Sequence, residues 1–222
     1  MKTNHPSEKE IGEVNKSIVR ENIEAVLVAV LLALLIRTFA VQAFKIPSGS
    51  MKQTLLIGDH ILVNKFIYGV KVPFSKTTII PFKKPKHGDI VVFKFPLDPE
   101  KDFIKRVVGL AGDKVEIRNK QVYVNNIKAD SSFAQFTDSF MVPGCPPGSR
   151  KDASCRKDNF GPIKVPENQL FVMGDNRDQS FDSRFWGFVD LKAVSGEAFI
   201  IYWSWDNTNF GIRWKRIGKM LK

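Results

Sequence analysis

The hydrophobic pattern changes character once, near Val41. Before it lies a single unbroken apolar run, Ala25 to Ile36, and with Ile23 and the flank through Phe44 the stretch offers roughly 33 Å of helix at about 1.5 Å per residue. That length suits a hydrocarbon core of about 30 Å. The pattern therefore predicts a polar tail over 1–22 and a transmembrane anchor over 23–40. Two alternatives compete, because the strict apolar run is as short as that of a buried helix or a removable leader, and Val41-Gln42-Ala43 resembles a leader cleavage site. Glu8, Glu10, Glu13, Glu21 and Glu24 make a poor leader n-region, so a retained single-pass anchor is the expectation.

After Val41 the period shortens to that of strands. Residues 41–46, 59–66, 89–95 and 103–108 alternate or run apolar with β-branched residues, and Gly or Pro punctuates them. Two shorter strands follow the Ala111-Gly112-Asp113 turn, at Lys114 to Arg118 and Gln121 to Val124. Further apolar runs come at Leu170 to Met173 and Ala198 to Trp205, and long helices are scarce. The predicted fold is mainly β, an antiparallel-sheet domain over 41–113 and 170–222. A hairpin excursion at about 67–85 carries Gly69, Pro73, Pro81 and Pro85, and a more polar β-rich insertion spans 114–169.

Composition narrows the class. The 222 residues, 43% of them hydrophobic, suffice for one substantial domain with a small insertion. A formal charge of +11 would suit nucleic acid or an anionic lipid surface. The basic residues are spread in short doublets such as Lys83-Lys84 and Lys215-Arg216, with no basic helix or groove motif, which favours the membrane surface over nucleic acid. Cys145 and Cys155 both fall in the insertion and close a short loop, as one disulfide or as two separate surface thiols. A bond there would place this half of the chain in an oxidising compartment. Two cysteines and three scattered histidines are too few for a metal site, and no cofactor is implied.

Three blocks carry candidate chemistry: Ile46-Pro47-Ser48-Gly49-Ser50-Met51, Phe103-Ile104-Lys105-Arg106, and the stretch from Gly174 through Asp175-Asn176-Arg177-Asp178-Gln179-Ser180-Phe181-Asp182-Ser183 to Arg184. A serine hydroxyl needs a neighbouring base. His5 lies in the tail, and His60 and His87 could in principle face Ser50 in a triad, but Lys105 sits among Phe103, Ile104, Val107 and Val108. Burial among apolar side chains disfavours an ammonium and can bring a lysine, ordinarily near a pKa of about 10.4, towards neutrality. Asp182 and Arg184 can pair bidentately, which makes them scaffolding with Asp175 rather than proton carriers.

Together the blocks resemble bacterial signal peptidase I, the Ser-Lys serine protease family that removes signal peptides from exported proteins, over about Phe39 to Gly218. The resemblance implies Ser50 as nucleophile, Lys105 as general base, Ser48 as an oxyanion partner and Ser180 as the residue orienting the lysine. Asp59 and Lys65 fall in another block of the family. It implies shallow pockets for small residues one and three positions before the cut, lined by Phe44, Ile46, Pro47, Met51, Leu55, Val92, Asp102, Phe103 and Ile104. It further implies an inner-membrane monomer with a cytoplasmic N-terminus and an outward catalytic domain, acting on exported preproteins. One position departs: Gln53 stands where the family usually carries proline, which would fix φ.

The aromatic C-terminal stretch allows two readings. Trp203, Trp205, Phe210 and Trp214, interleaved with Arg213, Lys215 and Arg216, are either β-core aromatics or a rim at the bilayer interface. Two other function classes stand beside the peptidase: a self-cleaving Ser-Lys repressor, which needs a helix-turn-helix absent here, and a non-catalytic preprotein-holding module, which intact Ser50, Lys105 and Ser180 disfavour.

Overall fold

The change of period at Val41 is also where the chain divides into two units, Met1–Ala40 and Val41–Lys222. The computed structural model describes residues 20–31, 41–68, 83–145 and 154–221. In the first unit, residues 20–31 form a helix (α1) with Arg20 bridging Glu24 at 2.8 Å. Val26, Leu27, Val30 and Leu31 on it are exposed. The expected anchor lies partly outside the described residues, as do the tail through residue 19 and most of the hairpin excursion. Within the described residues no helix is long and apolar enough to cross a membrane.

The second unit is mainly β, and every ladder between its strands is antiparallel. The large sheet is built from β1 (Val41–Lys45), β2 (Asp59–Asn64), β3 (Ile90–Phe95), β4 (Asp98–Gly109), β9 (Gln169–Met173), β10 (Val189–Asp190), β11 (Val194–Asp206) and β12 (Gly211–Ile212). Its order is β1-β2-β11-β3-β4-β9-β10, with β12 on β11. A second sheet, β7-β6-β5-β8, comprises β5 (Lys114–Arg118), β6 (Gln121–Val124), β7 (Ile127–Lys128) and β8 (Phe160–Lys164). Asn119-Lys120 and Asn125-Asn126 take positive φ at both tight turns of its meander, which is why asparagine leads each pair.

Strand β3 shows why the sheet sits centrally. Ile90 and Val92 pack with Met51, Leu55, Ile61 and Ile201 on one face, and Val91 and Phe93 pack with Val107, Leu170 and Val172 on the other. A strand buried on both faces reads as a continuous apolar run, as Ile90 to Phe93 does. A third cluster, around Val115, Ile117, Phe171 and Met173, joins the second sheet to β9. Cys145 and Cys155 are disulfide-bonded with their Cα atoms 4.9 Å apart, which removes the reading as two separate thiols.

Beyond β9 the chain forms a loop and a one-turn helix α2 (Ser183–Trp186), capped by the Asp182 side chain on the Arg184 N–H. Asp178 in this loop accepts from the N–H groups of Thr137 and Asp138 and from Lys120, tying the segment after β7 to the site described next.

Candidate active site

Ser50 lies in a turn between β1 and β2 that is pinned from beneath. Ile46, Met51 and Leu55 are 0–2% exposed in the core, so the chain between Pro47 and Ser50 is pushed to the surface. The Lys52 N–H donates to Gly49 O at 3.1 Å and Leu55 N–H to Met51 O at 2.8 Å, closing the turn. Gln53 sits within it at φ +79°. Proline, locked near −65°, cannot adopt that conformation, so hydrogen bonds and buried anchors hold the turn where a fixed φ was expected to.

Lys105 reaches the turn from β4, where it pairs Val91 of β3. Its ammonium lies 2.9 Å from Ser50 Oγ and 2.9 Å from Ile104 O. The residue is 4% exposed. Burial pulls its pKa down to about 8, against the opposing pull of Asp182 and Asp175. Ser48 Oγ stands 3.5 Å from Ser50 Oγ on the exposed side.

The loop after β9 closes the site from the other side. The Asn176 N–H donates to Ser50 O and its amide nitrogen to Gly49 O, both at 3.1 Å. A Cβ on Gly174 would collide with the Ser180 side chain and the Ser50 carbonyl, so only glycine permits this approach. Asp175 takes Arg106 in a bidentate pair with both contacts at 2.8 Å, and accepts from Thr54 Oγ1 at 2.5 Å. Asp182 takes Arg184 bidentately, again at 2.8 Å, and accepts from the Gly174 N–H at 3.1 Å. Burial works against the Asp182 charge, but Arg184 and these donors hold its carboxyl below the usual range. Ser180 is buried beside Asp182, whose carboxyl its hydroxyl helps to hold low, and no hydrogen bond joins it to Lys105 among the described residues.

These residues border a cleft of about 450 Å³ lined by Ser48, Ser50, Ile57, Phe103, Lys105 and Phe181, with Lys52, Asn176 and Gln179 at its edge. Of the nine expected pocket residues, Phe103 lines it. Ile46, Met51, Leu55 and Val92 are core beneath it, Phe44 and Ile104 pack on that core, Pro47 is exposed, and exposed Asp102 bridges Lys94. Neither histidine in the described residues lines it: His60 packs edge-on against Tyr202, and His87 bonds Asp113 at 2.7 Å. Asp59 is a structural anchor; burial pushes its carboxyl up, but Arg216, Ser204 and the Leu56 N–H outweigh this and hold it low. No three His, Cys, Asp or Glu among the described residues could hold a metal ion.

A family model described as "Signal peptidase, peptidase S26" matches residues 19–203. The chain belongs to this family. The signal peptidase I of Pseudomonas aeruginosa is 34% identical over 233 residues, covering 91% of this chain and 79% of that protein. That of Pseudomonas fluorescens is 36% identical over 204 residues, covering 78% and 69%. A solved signal peptidase I from Enterococcus faecalis aligns at 28% identity and TM-score 0.41, over 52% of this chain and 97% of that one. The chain is thus a signal peptidase I, a serine endopeptidase that removes N-terminal signal peptides. Sequence reasoning missed Arg106 as the partner of Asp175 and missed Ile57, Gln179 and Phe181 at the cleft. The signal for Arg106 was present, since a charged residue beside Lys105 in a strand buried on both faces needs a partner.

Proposed function

We propose that Ser50 attacks the scissile carbonyl and that Lys105, neutral in the fraction of molecules set by its lowered pKa, takes the hydroxyl proton and returns it to the leaving amine. Water then hydrolyses the acyl-enzyme. The observation carrying this reading is the 2.9 Å contact between Lys105 Nζ and Ser50 Oγ, made by a lysine that is almost fully buried and, among the described residues, has no carboxylate in contact. Ser48 Oγ and the Ser50 N–H are assigned to the developing oxyanion, because Ser48 stands on the open side of the nucleophile. Ser180 is assigned to the ammonium form of Lys105, an assignment that rests on the family resemblance and on its burial beside Asp182, whose charge acts on Lys105.

The enzyme is read as a monomer held in the bacterial inner membrane by the segment 23–40, with the N-terminus cytoplasmic and the catalytic unit outside. Its catalytic domain is taken as 41–113 and 170–222, with 114–169 inserted; the separate four-stranded sheet supports that division. An apolar rim supports membrane contact beside the cleft. Ile57, Tyr202, Phe210, Trp214 and Met220 are exposed near Lys215 and Lys219, while Trp203 and Trp205 are half-buried. Arg213 ties this rim to the site by donating to Ile57 O at 2.6 Å and Trp205 O at 2.7 Å.

Specificity for small residues before the cut follows from a cleft walled by Phe103 and Phe181, which excludes large side chains by overlap. The test is cleavage of a preprotein whose leader ends Ala-x-Ala by the detergent-solubilised enzyme. Wild type should cut after the second alanine, Ser50→Ala and Lys105→Ala should not, and Phe in place of that alanine should abolish the cut. Cleavage of the Phe substrate at the wild-type rate would contradict the specificity, and activity in Lys105→Ala would move the base elsewhere.

A further inference from the structure

Asn176 joins the loop after β9 to the nucleophile turn at two points, through its N–H to Ser50 O and its Nδ2 to Gly49 O, each at 3.1 Å. The residue is 3% exposed. Its Oδ1 is buried with no partner among the described residues, so the Nδ2 contact decides which way the amide faces; turned over, it would set its oxygen against that of Gly49. The loop is braced from behind. Gln135 pairs with Asn176 in a parallel bridge, donating to Asp175 O at 2.7 Å and accepting from the Arg177 N–H at 2.9 Å. Asp178 then takes the N–H groups of Thr137 and Asp138 and the Lys120 ammonium. Asn176 is therefore a fixed point against which the turn is set.

Gly49 O belongs to the same peptide unit as the Ser50 N–H. In a planar trans peptide the two point in opposite directions, so a donor holding the oxygen aims the N–H away from itself. Packing does not supply that aim, because nothing lies within 4 Å of where a Gly49 Cβ would stand. Hydrogen bonds do, since the oxygen accepts from the Lys52 N–H and from Asn176 Nδ2, both at 3.1 Å. The Ser50 N–H donates to no group among the described residues, which leaves it for an incoming oxygen. Donors on Gly49 O also polarise it.

We propose that Asn176 is a positioning residue for the oxyanion: by holding Gly49 O and Ser50 O it aims the Ser50 N–H at the charge that develops during attack. This role rests on Ser50 as the nucleophile and on its N–H as an oxyanion donor.

The experiment compares wild type, Asn176→Ala and Ser50→Ala, as detergent-solubilised full chains, in cleavage of an Ala-x-Ala preprotein and in binding of a peptide aldehyde ending in Ala-x-alaninal. Ser50 Oγ adds to the aldehyde carbon, its proton passes to Lys105, and the carbonyl oxygen becomes the anion that the Ser50 N–H holds. In Asn176→Ala, kcat should fall about 10- to 100-fold, less than for outright loss of an oxyanion donor, and aldehyde affinity should fall by the same factor. KM and the pH profile should stay as in wild type, whereas a merely structural loosening of the turn would disturb the Lys105 contact and move the profile. Should Asn176→Ala fail to fold, Asn176→Asp carries the test on the plateau of its own pH profile. It keeps the shape and the backbone N–H but sets an acceptor against Gly49 O, so the loss should be at least as large. Wild-type kcat in the folded variant, a fall in kcat with unchanged aldehyde affinity, or a shifted profile in Asn176→Ala would each overturn this role alone. Cleavage that survives Ser50→Ala would overturn the nucleophile assignment and this role with it.

Discussion

Lys105 and Arg106 are consecutive on β4 and both are buried, yet among the described residues only the arginine is paired with a carboxylate. Alternation along the strand sends the two side chains to opposite faces. One finds Asp175, and the other finds Ser50 Oγ and the Ile104 carbonyl. The lysine therefore bears the cost of burial without an ion pair to offset it, and that cost is what makes it available as a base.

The same cost is a stability statement. The unfolded chain keeps the Lys105 proton to near the ordinary value of 10.5, the folded one only to about 8, so stability should rise as pH increases between these values. Lys105→Met should abolish cleavage and, at pH 7, stabilise the fold by up to about 3 kcal/mol. Chemical denaturation of both proteins at pH 7 and above pH 10 checks this. A variant less stable than wild type at pH 7 would show that the lysine contributes to the fold.

Breaking the Arg106–Asp175 pair should do the opposite. Both partners are 0–2% exposed in their side chains, so Asp175→Asn leaves an uncompensated buried guanidinium and should cost about 3–5 kcal/mol. Thr54 and the Ser50 turn should loosen with it, because Asp175 holds both Arg106 and Thr54. Denaturant midpoints for Asp175→Asn, Arg106→Met and the double variant would measure the coupling, with the double variant expected to lose less than the two single losses together.

Gly174→Ala is a small substitution with a large expected effect. The added methyl meets the Ser180 side chain and the Ser50 carbonyl, so the loop must retreat from the nucleophile turn. A loss of about 1–3 kcal/mol is expected from overpacking, with a fall in kcat at unchanged cleavage position. Wild-type kcat in a folded Gly174→Ala protein would mean that the close approach is not needed for the reaction.

Gln53 separates two accounts of the turn. At φ +79° glycine is at ease and proline is excluded, so Gln53→Gly should be neutral or stabilising by up to about 1 kcal/mol, while Gln53→Pro should cost more than about 1 kcal/mol. Thermal denaturation of the two variants decides it; a stabilising proline would show that the turn has the other conformation.

Much of the β framework was legible because buried strands carry their pattern locally. Ile90 to Phe93 and the Asp59–Asn64 alternation needed no knowledge of their partners. The polar start of β4, Asp98 to Asp102, lies outside the strand expected over 103–108, since it is held by backbone pairing to Lys94 and Phe95 rather than by apolar burial. Strand β8 was hidden for a similar reason, being a five-residue segment that contains Gly161 and Pro162. Ser50, Lys105 and the expected pocket residues could all be named through family resemblance; of the latter, Phe103 borders the cleft and Ile46, Met51, Leu55 and Val92 are buried in the core. The Arg106 partner lies 69 residues away in sequence, and no local pattern points to it.

The most direct measurement is the pH dependence of kcat/KM for an Ala-x-Ala preprotein, which reports the ionisations of the free enzyme. Neutral Lys105 is the active form, so the rate should climb about tenfold per pH unit below pH 7.5 and level off above an apparent pKa near 8. A profile that levels off near pH 6.5, the ordinary histidine range, or one flat from pH 6 to pH 9, would contradict a buried lysine as the base.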